Sequence, residues 1–149
     1  MNSSSAESRL TENEGKYLVF MYRNQYEESS RVKTTVLANA FGVRPATVTE
    51  MFQKLAEKGL LKYTRYHGIE LTKEGIAEGR KLLRKHRLLE VLFVSALGYD
   101  VRSACCEASR LNCYVSKKLI DDISRVYGHP KTCPCNKTIF GDRGFVGTR

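Results

Sequence analysis

The chain has 149 residues, enough for one compact domain or two small ones sharing an interface. Apolar residues make up 42% and charged residues 28%, and no stretch approaches the roughly 20 apolar residues that span a bilayer, so a helical membrane protein is excluded. The formal charge of +9 favours a polyanionic partner, because neutralising phosphates releases condensed counterions.

Residues 1–10 are Ser-rich and are expected to be frayed. They lack the apolar segment of a signal peptide, which points to a cytoplasmic protein. A first helix is expected from about Thr11, where Thr11-Glu12-Asn13-Glu14 has the polar, acidic character of a helix start. Tyr17, Leu18, Met21 and Tyr22 recur at helical spacing and form its apolar face. Asn24 to Ser30 reads as a loop. Thr34 or Lys33 then opens a short helix whose buried face is Val36, Leu37 and Ala40. Gly42 allows a tight turn, and Val43 plugs that turn into the core. Arg44 begins a second helix, with Pro45 early in it, where its missing N–H costs nothing. Val48, Met51, Phe52 and Leu55 form the inner stripe, and Gly59 ends the helix. Ala46, Thr47, Thr49, Glu50 and Gln53 face outward.

This layout is a helix-turn-helix, whose second helix enters the DNA major groove. The plainer alternative is an ordinary helical hairpin. Leu60 to Tyr66 alternates, His67-Gly68 can turn, and Ile69 to Thr72 alternates back, which predicts a β-hairpin wing. Arg44, Pro45, Ala46, Thr47, Thr49, Glu50 and Gln53 are the candidate groove residues. Lys33, Thr34, Lys62 and Arg65 are candidate backbone contacts. Thr72 caps a longer helix carrying Ile76, Leu82, Leu83, His86, Leu88, Leu89, Leu92 and Phe93, which Gly98 ends. Another helical region follows from about Val101 to Tyr127, with a break near Cys113–Ser116, and Gly128-His129-Pro130 stops it. The apolar surplus of these helices predicts a homodimer, which also suits a palindromic duplex operator. The tail from Gly141 is basic, Gly-rich and expected to be loose.

All five cysteines lie in the last third of the chain: Cys105, Cys106, Cys113, and the Cys-Pro-Cys of Cys133 and Cys135. In a reducing compartment such clusters bind metal or sense redox state rather than form structural disulfides. Cys106 and Cys113 are seven apart and would share a helix face. The expected centre combines Cys106 or Cys105 with Cys113, Cys133 and Cys135, the last two folding back onto the helix. Four thiolates suit an iron–sulfur cluster or Zn²⁺. On that basis Cys113→Ser should abolish the centre. A metal-free thiol switch or inert core cysteines are the alternatives. No Gly-rich phosphate loop, nucleophile elbow or paired catalytic carboxylates occur, so an enzyme is not expected.

The run Arg84-Lys85-His86-Arg87-Leu88-Leu89-Glu90 resembles a signature of the diphtheria toxin repressor / manganese transport regulator (DtxR/MntR) family. So do the order of elements, Leu71-Thr72-Lys73-Glu74-Gly75 at the wing's end, Cys106-Glu107-Ala108-Ser109-Arg110, and Gly128-His129-Pro130 followed by Cys133-Pro134-Cys135. The resemblance covers about residues 11–141. It implies a mainly α fold, with a winged helix-turn-helix DNA-binding domain over 11–74 and a helical dimerisation and metal-binding domain over 75–141. It also implies the short form without an SH3-like third domain. Of the family's two metal positions, the ancillary one is similar here at His86, Glu90 and Cys105. The primary one falls on Lys16, Ser109, Asn112 and Cys113 and does not match. The reading is therefore a DNA-binding transcription regulator, most simply a repressor, that responds to iron, metal or redox state. Its preferred cofactor is an iron–sulfur cluster or Zn²⁺, ahead of Fe²⁺ or Mn²⁺ at His86/Glu90/Cys105. The other readings are a DNA binder with purely structural zinc and a thiol redox protein.

Overall fold

The computed structural model describes residues 10–64 and 66–141. Residues 1–9, Arg65 and the tail beyond Gly141 lie outside the described residues, and so do the expectations made for them. The first helix, α1, spans Glu12–Tyr22. Thr11 Oγ1 accepts from the Glu14 backbone N–H, and the Glu14 carboxylate accepts from that of Thr11, each at 3.2 Å. This reciprocal cap fixes the helix start. The expected loop at Asn24 does not follow. The helix widens into a π-helical turn at Arg23–Glu27, and Asn24 Nδ2 donates to the Phe20 carbonyl at 2.9 Å.

Helix α2 spans Thr34–Phe41 and ends at Gly42, whose φ of +62° suits a residue without a Cβ. Its buried face differs from the expected one. Leu37 and Ala38 are buried, whereas Val36 is 46% exposed and Ala40 faces solvent. The short helix turns so that Phe41 stacks on Tyr17 of α1, with ring centroids 4.5 Å apart, and this sets Leu37 and Ala38 inward. Helix α3, Pro45–Glu57, starts with Pro45 and buries Val48, Phe52 and Leu55. Strands β1, Leu61–Thr64, and β2, Gly68–Leu71, pair antiparallel, with Leu61 opposite Leu71 on the core side.

Thr72 caps α4, Lys73–Leu97, by accepting from the Gly75 N–H at 3.0 Å. Gly75 passes so close to the wing that a Cβ there would sit 2.1 Å from the Leu60 carbonyl oxygen. Helix α4 runs through both halves without a break. Leu82 and Leu83 close a first core with α1, α2, α3 and the wing, and Leu88, Leu89, Val91 and Phe93 build a second core. The C-terminal helical region divides in two near the expected break. Helix α5 spans Val101–Leu111, capped by Asp100, and α6 spans Lys117–Val126, capped by Ser116. Residues 128–141 form a strap that returns across α4. The Thr132–Thr138 bridge folds it, and buried Cys133 and Ile139 anchor it in the second core. Among the described residues, no helix is long and apolar enough to cross a membrane.

Candidate metal centre and nucleic-acid face

His86 and Glu90 stand one turn apart on α4, where both are buried. Their side chains meet, with His86 Nε2 2.7 Å from Glu90 Oε1. Helix α5 brings Cys105 Sγ to 3.5 Å from His86 Nε2. On the other side, the strap brings Cys135 Sγ to 3.1 Å from Glu90 Oε2, and Cys133 Sγ lies 3.1 Å from Cys135 Sγ. The donors form two triads, His86/Glu90/Cys105 and Glu90/Cys133/Cys135, each with its ligand atoms within 4.8 Å of one another. Ligands on a shared first-row ion stand about 3–4 Å apart, given metal–ligand bonds of ~2.0–2.3 Å.

The charges at this place are unbalanced. Glu90 is fully buried, and its Oε1, despite the nearby imidazole, receives no aligned hydrogen bond. Burial pushes the Glu90 carboxyl up. The close contacts with His86 and Cys135 and the charges of His86 and Arg23 outweigh it, so the group titrates below its usual range. Burial also raises the Cys105 thiol, with Glu90 adding to the effect. The Cys135 thiol is pushed up to about 12, by burial first and then by its contacts with Cys133 and Glu90. A cation placed among these donors would satisfy the lone carboxylate oxygen and favour the thiolates. The residues therefore fit a metal ion.

The four-thiolate centre expected from the sequence is not assembled. Cys106 is exposed and Cys113 packs on the first core, and neither belongs to a triad. Helix α5 ends at Leu111, so Cys113 sits in the following turn and the shared helix face does not exist. Cys113 Sγ instead lies 2.9 Å from where a Cβ on Gly15 would stand. Burial, followed by the Glu12 charge, raises its thiol. Near it, Lys16 Nζ pairs with Glu12 Oε1 at 2.8 Å, and Tyr114 donates to Glu12 Oε2 at 2.9 Å. Asn112 is buried, and Ser109 donates to the Cys105 carbonyl. This junction already contains an ammonium and does not fit a divalent ion.

The helix-turn-helix face is open. Arg44, Pro45, Ala46, Thr47, Thr49, Glu50 and Gln53 are all exposed along α3, as are Lys33 before α2 and Lys62 on β1, while Thr34 is half-buried. The Thr49 hydroxyl donates to the Pro45 carbonyl at 3.2 Å, a bond within the helix. Arg65 at the wing tip lies outside the described residues.

Three further residues tie the π turn to its surroundings, Arg87 and Glu27 across the two halves and Gln25 within the first, and the sequence reading missed them. Arg87 is fully buried, donates to the Thr138 carbonyl of the strap at 2.6 Å, and pairs with Glu27 at the end of the π turn. Gln25 holds the wing, donating to the Ile69 carbonyl at 2.9 Å and accepting from the Leu71 N–H at 3.3 Å. A signal for Arg87 existed. Leu83, His86, Arg87 and Glu90 follow the i, i+3, i+4, i+7 pattern of a single helix face.

Comparison with known proteins bears on the family and the fold. The model of the iron dependent repressor N-terminal DNA binding domain matches residues 9–69, and that of the iron dependent repressor metal binding and dimerisation domain matches 72–141. An uncharacterized HTH-type transcriptional regulator of Methanocaldococcus jannaschii is 36% identical over 105 residues, which are 70% of this chain and 84% of that protein. A manganese-dependent transcriptional repressor, solved in complex with manganese, superposes with a TM-score of 0.81 at 33% identity, covering 91% of this chain. The structure of ScaR with bound Zn²⁺ gives 0.76 at 32% identity over 87% of this chain. This chain spans only 62% and 60% of those two proteins. The metals named in these structures are manganese and zinc, and the iron–sulfur cluster preferred from the sequence finds no support in them.

Proposed function

Because this chain belongs to the DtxR/MntR family of iron-dependent repressors, we propose that it is a homodimeric DNA-binding transcription regulator controlled by a divalent metal ion held by His86, Glu90 and Cys105. The observation that carries this reading is the fully buried Glu90 carboxylate with its ligand atom within 4.8 Å of those of His86 and Cys105. When bound, the ion would supply a Lewis-acid positive charge to these three donors.

Helix α3 would enter the major groove, with Thr47 and Gln53 offering hydrogen bonds to base edges. Arg44, Lys33 and Lys62 would hold phosphates and set register. Dimerisation would cover the apolar side chains left open around the end of α4 and along α5. Leu97, Tyr99, Val101 and Leu111 are each at least 39% exposed. A two-fold dimer would present paired α3 helices to a palindromic operator. Arg87 is adjacent to His86 and reaches Glu27, so a shift of α4 or the strap at the metal would be felt at the end of α1. The ion would regulate only by binding the DNA-competent arrangement more tightly than the other.

The test uses duplex DNA selected by the protein from a random pool. Fluorescence anisotropy of the full chain is compared metal-free and with Mn²⁺, Fe²⁺ or Zn²⁺. Binding that strengthens with metal in the wild type but not in His86→Ala supports the reading. Equal binding with and without metal would leave a DNA binder whose ion is structural.

A further inference from the structure

The formal charge is spread unevenly along the chain. Residues 1–72 hold ten lysines and arginines against eight acidic residues, and residues 73–149 hold fifteen against eight. Most of the +9 therefore lies outside the DNA-binding half. Part of this excess gathers at a cleft of about 860 Å³ between α4, α6 and the strap. Arg84, Arg125 and Lys131 line it with Asp121 and Asp122, and no donor of the metal centre does. The acids are outnumbered. Asp121 is shared between Arg84 and Lys117, and Asp122 between Lys118 and Arg125. Two carboxylates thus serve four cations, and Lys131 adds a fifth. Pro130, Ile139 and the Phe140 ring give the cleft an apolar wall. His129 also lines it, with a backbone φ of +52° that is unusual for a residue with a Cβ. Its N–H donates to the Ser124 carbonyl at 2.7 Å, and its Nδ1 lies 3.1 Å from Ser124 Oγ. These contacts fix the ring.

We propose that this cleft binds a small organic anion with an aromatic or branched apolar body, its acidic group held by Arg125 and Lys131 and its body against Ile139 and Phe140. The volume falls in the range of small-molecule sites, roughly 300–1,000 Å³. Surplus cations offer charge-assisted hydrogen bonds to the acidic group. The apolar wall gives the body surface to bury. A nucleic-acid backbone would leave that wall unused, which favours a small molecule over the polyanion suggested by charge alone. An occupant would add to the link that Arg84 already makes between α6 and the strap, through Asp121 and the Phe140 carbonyl. The site goes beyond the regulatory reading above and uses neither its metal donors nor its groove residues.

The test is fluorescence titration of the full chain with 8-anilinonaphthalene-1-sulfonate, an aromatic sulfonate whose emission rises in an apolar site. Its uncharged counterpart, N-phenyl-1-naphthylamine, reports what the apolar body does alone. The wild type is expected to bind the sulfonate about tenfold more tightly than the amine, or better, as a hydrogen bond to a charged group allows. Arg125→Glu and Lys131→Glu change exposed residues and should keep the fold, verified by circular dichroism. Each should weaken the sulfonate by about tenfold and leave the amine unchanged. Arg102→Glu is the control, because Arg102 is an exposed cation on α5 beside the apolar Val101 and outside the cleft. It should change neither probe. Equal affinity for the two probes overturns the proposal, and so does sulfonate binding that both cleft variants leave unchanged. Loss of the sulfonate in Arg102→Glu alone would put the probe on the apolar surface near α5 and overturns it as well.

Discussion

Two places along α5 are built in opposite ways. At the junction of α1 with the end of α5, Gly15 lets Cys113 and Leu82 approach, and Lys16, Glu12 and Tyr114 form a closed polar chain beside them. Every charge there has a partner. At the face shared by α4, α5 and the strap, a buried carboxylate meets an imidazole and three thiols, one of its oxygens has no aligned bond, and a thiol is driven up to about 12. The first place is complete as protein. The second is complete only with a cation. In the proposed function, the response to metal rests on the second of the two positions implied by the family resemblance.

The largest break in the comparison should come from Arg87, the bar between the second place and the first core. Arg87→Met leaves Glu27 and the Thr138 carbonyl without their partner. Removing one side of a buried ion pair costs about 3–5 kcal/mol. Glu27 keeps some solvent access, so the low end is expected. Urea denaturation should show this loss, and an unchanged midpoint would mean that the strap is held without Arg87, by its buried anchors Cys133 and Ile139.

Glu90→Gln should act on both metal binding and folding. It removes the carboxylate shared by the triads, and loss of a ligand should weaken binding by more than the ~10–100-fold typical of outer-shell changes. The metal-free protein should also lose stability at neutral pH, because the folded state favours the charged form of Glu90. Cys113→Ser is the matched control. It should leave metal content unchanged, in contrast to the outcome expected from cysteine spacing. Metal loss in Cys113→Ser would mean that the first place does hold an ion.

Local signals were readable where they depend on a few adjacent residues. The caps at Thr11, Thr72 and Ser116 and the stops at Gly42 and Gly98 mark real ends. The donor atoms of His86, Glu90 and Cys105, aligned by the resemblance, lie within 4.8 Å of one another. The errors arise where a face was projected across an uncertain end. Helix α5 stops two residues before Cys113, so its side chain points toward Gly15 and not toward the strap. The π turn was invisible because Arg23-Asn24-Gln25-Tyr26-Glu27 is polar, and its reason for order is tertiary: Gln25 on the wing and Glu27 on Arg87. A buried arginine in a basic run likewise shows itself only through periodicity.

At the first place, packing should matter more than charge. Gly15→Leu inserts a side chain where even a Cβ would lie 2.9 Å from Cys113 Sγ and 3.4 Å from a Leu82 methyl. Overpacking of this kind costs about 1–3 kcal/mol. Denaturation midpoints should fall accordingly, with metal stoichiometry intact. If Gly15→Leu is as stable as wild type, the junction is loose and does not transmit the position of α5 to α1.

The smallest effect is expected from Lys16→Ala, and its smallness is informative. Lys16 and Glu12 are 42% and 38% exposed, so water screens their attraction, and such surface pairs contribute little. Tyr114 still donates to Glu12 in the variant. Thermal denaturation should therefore match wild type, and metal-dependent DNA binding should keep its full increment. A variant that instead binds DNA poorly without metal, at unchanged stability, would show that the ammonium acts as a permanent substitute for an ion and keeps α1 docked in its active position. In that case the two places would differ in whether their cation is covalently part of the chain, and both would be electrostatic clamps. Unchanged behaviour leaves the junction to Gly15, Cys113 and Leu82, and keeps the response to metal at Glu90.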